Sequence, residues 1–72
     1  MIKWEKEHAA IVVLNMVKFY VKYRQEREKE ITASYSGKLE GYIQGITFAD
    51  KTYALYLHRL ANWYTKRLLR RN

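Results

Sequence analysis

The sequence predicts an all-α protein: a long helical hairpin of two helices that pairs with a second copy of itself into a dimeric bundle. Three observations lead there. The 72 residues contain no proline and only three glycines, so little interrupts a helix. Apolar residues recur at spacings of three and four over two long stretches. The first stretch is apolar around most of its circumference, more than one partner helix can cover.

The first helix is expected from residue 3 to about residue 30. Glu5 and Glu7 fall in its first turn, where acids suit the positive end of the helix dipole. The polar positions Glu7, His8, Asn15, Lys18, Lys22 and Gln25 fall in one narrow wedge, together with Trp4 and Ile11, while apolar side chains between Ala9 and Tyr23 cover most of the circumference. The remaining circumference is apolar, and Val13, Val17 and Tyr20 are the expected contacts with the second copy. Gln25–Glu30 is a charge block that reads as the exposed end of this helix. The connection is placed at Ile31–Ser36, with Thr32, Ser34 and Ser36 as candidate caps.

The second helix is expected from about Ser34 to Arg70. Its stripe runs Leu39, Tyr42, Ile46, Ala49, Tyr53, Tyr56, Leu60 and Trp63, widened by Ile43, Leu57 and Tyr64. This phase passes through Gly45–Asp50 without a slip, which favours one continuous helix. Thr47-Phe-Ala-Asp50 has the form of a capping box, and a break at Gly45–Thr47 would make three helices instead.

Every fourth residue from 33 to 49 is small, Ala33, Gly37, Gly41, Gly45 and Ala49, and this row lies mostly opposite the stripe. Each interior glycine costs a helix about 1 kcal/mol relative to alanine, so three of them on one face imply close approach of another backbone. The approaching element is the first helix, the second copy or an external partner. On a continuous helix Phe48, Leu55 and Arg59 extend this face, making Gly37, Gly41, Gly45, Phe48, Leu55 and Arg59 the expected partner-binding set.

Lys and Arg number 14 against 7 Asp and Glu, a net charge of +7. That balance suits an acidic protein, a nucleic acid or an anionic membrane surface. The chain ends in a basic cluster; Arg59, Lys66, Arg67, Arg70 and Arg71 form an alternative nucleic-acid footprint. The competing explanation is that cations near a helix C-terminus complement its dipole. There is no cysteine, and His8 and His58 stand apart, so no metal or cofactor is expected. Neither a phosphate-binding loop nor a nucleophile–base pair is readable, and the chain reads as non-enzymatic. The apolar run Ala9–Val21 is too short to span a bilayer and is broken by Asn15 and Lys18; a single cytoplasmic domain over residues 1–72 is expected.

Gly37-Lys-Leu-Glu-Gly41 followed by Tyr42-Ile-Gln-Gly45-Ile-Thr-Phe-Ala49 resembles small helical accessory proteins of phages and mobile elements of Gram-positive bacteria. The resemblance covers about half the chain. It implies binding to a host protein or nucleoprotein complex and modulation of it, anti-CRISPR inhibition of host defence included. The positive charge separates this chain from acidic DNA mimics. Direct nucleic-acid binding and a purely structural oligomerisation module are the alternatives.

Overall fold

The computed structural model describes residues 6–70. They form three α-helices, α1 Lys6–Gln25, α2 Lys29–Ala49 and α3 Lys51–Arg70, and each packs on the other two. The all-α class is as expected. The two-helix hairpin is not what forms, because the second half of the chain divides at Asp50.

The first reversal comes earlier than expected. Residues 31–36 lie inside α2, and the turn is made within the charge block. The Glu28 N–H donates to the Tyr23 carbonyl (2.9 Å) and the Arg27 N–H to the Arg24 carbonyl (3.2 Å). That pair of bonds is the Schellman pattern, whose pivot residue takes a left-handed conformation and is usually glycine. Here Arg27 fills it at φ 61°. The turn therefore lacks the glycine that would have marked it in the sequence. Thr32 does not cap; its hydroxyl donates to the Glu28 carbonyl at 2.7 Å.

The second reversal is a single residue. Asp50 is extended (φ −154°, ψ 92°), and its N–H donates to the Ile46 carbonyl to finish α2. Its Oδ1 accepts from the Tyr53 N–H at 3.0 Å, and its carbonyl accepts from the Ala54 N–H. Asp50 is thus the N-cap of α3. The capping-box reading gave that role to Thr47, but the Thr47 hydroxyl donates to the Ile43 carbonyl within α2.

Two polar contacts join this corner to the start of α1. Lys6 Nζ lies 3.9 Å from Asp50 Oδ2, and the Tyr53 hydroxyl donates to the Lys6 carbonyl. Burial pushes the Tyr53 phenol above its ordinary value of 10.0; Tyr56, Tyr42 and Glu7 act in the same direction. It is therefore a protonated donor at neutral pH.

Nine residues make the core: Ala9, Val13, Val17 and Val21 from α1, Ile43 and Ile46 from α2, and Ala54, Leu57 and Ala61 from α3. The α1 members recur every fourth residue, one ridge of that helix. Because two helices flank α1, much of the apolar surface assigned to a second copy is used within one chain. Val13 and Val17 are 0% exposed, so they present no surface to a second copy. Tyr20 is half-buried against the same core. Ile11 is exposed, in keeping with its place in the polar wedge.

Near the α1–α2 turn three rings meet. Phe19, Tyr23 and Tyr35 have centroids 5.7–6.5 Å apart and near-parallel planes. Three nearly equal separations rule out a simple column. The ammonium groups of Lys22 and Lys38 lie over Tyr23 and Tyr35 at 5.6 and 5.4 Å, where a cation meets the negative ring face.

Two substitutions should move stability in opposite directions. Arg27→Gly removes the penalty of a left-handed arginine and should stabilise by up to about 1 kcal/mol. Asp50→Ala removes the α3 cap and should destabilise by about 1 kcal/mol. Urea denaturation of both variants beside the wild type checks the signs.

Candidate functional site

The break at Asp50 divides the expected partner-binding set between two helices. Gly37, Gly41, Gly45 and Phe48 stay together on the outer face of α2, while Leu55 and Arg59 belong to the outer face of α3. A continuous helix would have carried all six on one rod.

The glycine row is open. A Cβ built at Gly37, Gly41 or Gly45 meets nothing within 4 Å. The row therefore does not admit α1, which packs on the opposite side of α2 through Ile43 and Ile46. Phe48, one turn from Gly45 on this same open face, is 91% exposed.

On α3 the inward residues Ala54, Leu57 and Ala61 leave a broad outer face. At 100° per residue that face gathers Leu55, Tyr56, Arg59, Trp63, Lys66, Arg67 and Arg70. No Asp or Glu occurs anywhere on the helix. Tyr56 and Trp63, expected in the apolar stripe, are instead exposed, Trp63 at 55%. The Arg67 guanidinium lies over the Trp63 ring at 5.5 Å. Trp63, Lys66, Arg67 and Arg70 together line a hollow of about 340 Å3. None of these three cations pairs with an acid among the described residues, where the ion pair present is Lys6–Asp50. Arg71 lies outside the described residues.

The structure thus brings together Lys66, Arg67 and Arg70 of the predicted basic footprint and places Arg59 further back along the same face. It adds Trp63, which the spacing had assigned to the core. A usable signal was present: Trp63 precedes Arg67 by four residues in a stretch without acids from Lys51 onward. No group of three metal-binding side chains converges among the described residues. No described helix is long and apolar enough to cross a membrane.

Comparison with family models, with curated proteins and with solved structures returns no match.

The open row makes a direct prediction. Gly41→Ala adds a methyl group into free space and improves helix propensity, so it should stabilise the chain by about 1 kcal/mol. A thermal melt at low protein concentration checks this. A lower melting temperature would mean that another backbone covers the row in solution.

Proposed function

We propose that the protein binds single-stranded nucleic acid along the outer face of α3. The observation that carries this reading is the exposed Trp63 ring set among Lys66, Arg67 and Arg70 in one hollow. Such a hollow suits a nucleotide on both of its chemistries. Cations follow the phosphate backbone, and an exposed aromatic face gives an unpaired base something to stack on. Arg67, held over one face of the indole, would meet a phosphate beside a base stacked on the other face. Arg59 and Tyr56 continue the same chemistry toward the start of α3. The helix is 20 residues long, about 30 Å, so several nucleotides fit along it. No step of catalysis is part of the proposal.

A second reading is favoured by Phe48. A phenyl ring exposed beside three open glycines suits the close approach of a partner helix. The partner would be a host protein, as the resemblance to mobile-element accessory proteins implies, or a second copy of the chain. Nothing in this reading uses α3, so the two surfaces can be tested separately.

Binding of a labelled oligothymidine should weaken steeply with salt, with a log–log slope near −0.7 per phosphate contact. Reversing Arg67 and Arg70 to Glu should weaken binding to all sequences about equally and flatten the slope. Trp63→Ala should cost about 1–3 kcal/mol on a single strand and little on a duplex, whose bases are already stacked. Absence of binding at roughly 50 mM salt would overturn the reading. In the same preparations, sedimentation of the wild type and Phe48→Glu reports on the α2 face. Self-association that the glutamate abolishes would assign that face to a second copy.

A further inference from the structure

A cleft on another side of the molecule has a chemistry of its own. It opens between α2 and α3, and all three helices contribute to it. Its inner hollow, about 230 Å3, is floored by Leu39, Ile43 and Ala61. A second hollow of about 470 Å3 continues it toward the α1–α2 turn; Tyr20 and Ser36 line both. The outer hollow is walled by Arg24, Arg27 and Lys29. These cations come from the end of α1, the turn residue and the start of α2, so the Schellman turn is what gathers them. None of the three pairs with a carboxylate among the described residues.

The cleft is therefore polarised along its length. The inner end has an apolar floor under a rim that includes His58, Asn62 and Thr65; the outer end has three cations beside the hydroxyl-bearing Thr32 and Ser36. Glu40 lines the inner hollow and repels an anion from that end. The size is that of a small-molecule site. We infer that this cleft binds a small amphiphilic organic anion, its apolar body over Leu39, Ile43 and Ala61 and its acidic group at Arg24, Arg27 and Lys29. The site is independent of the α3 face, sharing none of Trp63, Lys66, Arg67 or Arg70 with it.

Two probes that differ in one group test the assignment. 1-Anilinonaphthalene-8-sulfonate carries an aryl body and an anion; N-phenyl-1-naphthylamine carries the same body without the charge. By titration calorimetry the sulfonate should bind once per chain and at least about tenfold tighter than the neutral amine, since charge-assisted contacts contribute that much. Arg24→Ala/Arg27→Ala should bring the two affinities within about twofold of each other. Ser36→Trp, at an exposed position where the hollows join, should abolish binding of both probes with the helical circular dichroism unchanged. Trp63→Ala should leave binding intact. Equal affinity for the two probes in the wild type would overturn the inference. So would binding that survives Ser36→Trp, or binding that only Trp63→Ala removes. Loss of oligothymidine binding in the α3 variants is a separate readout and does not bear on this cleft.

Discussion

The ridge Ala9, Val13, Val17, Val21 is the surface on which the rest of the molecule closes. It is narrow and built of small side chains, and both other helices seat against α1. Ala54 and Ala61 keep α3 equally slim where it faces inward. The result is a thin core, as expected of a short chain. Large side chains have little room inside it. Leu57 and Ile43 are the bulkiest residues fully enclosed, and Phe48, Trp63, Tyr56 and Leu55 lie outside. The exposed aromatic surface and the slender core are thus two aspects of one packing solution.

The two ends of the bundle are held by different chemistry. At one end Lys6, Asp50 and Tyr53 join α1 to α3 through an ion pair and a hydrogen bond. At the other, Phe19, Tyr23 and Tyr35 join α1 to α2 through ring contacts. Alternating helix direction also brings the C-terminus of α3 back toward the α1–α2 turn; Tyr20, Ser36 and Thr65 line one hollow. Arg24, Arg27 and Lys29 therefore occupy the same end of the molecule as Lys66, Arg67 and Arg70. Six of the chain's 14 cations are gathered there by topology, with Glu26, Glu28 and Glu30 alternating with those of the turn.

Helical character was legible because nothing in the composition opposes it, and the apolar spacing identified Ile43, Ile46 and Leu57 as inward. The break was harder to read. Ile46 and Leu57 are eleven residues apart, and a continuous helix would place them within about 20° of each other. A one-residue reversal leaves that spacing intact, so phase alone does not distinguish a rod from a hairpin. The decisive feature is local: the Asp50 carboxylate accepting from the Tyr53 N–H. The first turn was hidden for another reason, since an arginine fills the position where a glycine would have advertised it. The missed break also shaped the candidate surfaces. Joining α2 to α3 put Leu55 and Arg59 beside the glycines, and placing Trp63 in the stripe concealed the residue around which the α3 cations gather. The openness of the glycine row depends on where α1 lies and could not be read from the row itself.

The bond from Tyr53 to Lys6 spans 47 residues of chain. Contacts of α1 with α2, and of α2 with α3, can form inside hairpins closed by turns of one to three residues. Seating α1 against α3 closes a longer loop, because the whole of α2 separates them in sequence. Folding then has a natural order, in which two fast local steps precede one closure of greater entropic cost. The Lys6–Asp50–Tyr53 corner is made in that last step, together with the burial of Ala54, Leu57 and Ala61 against the α1 ridge.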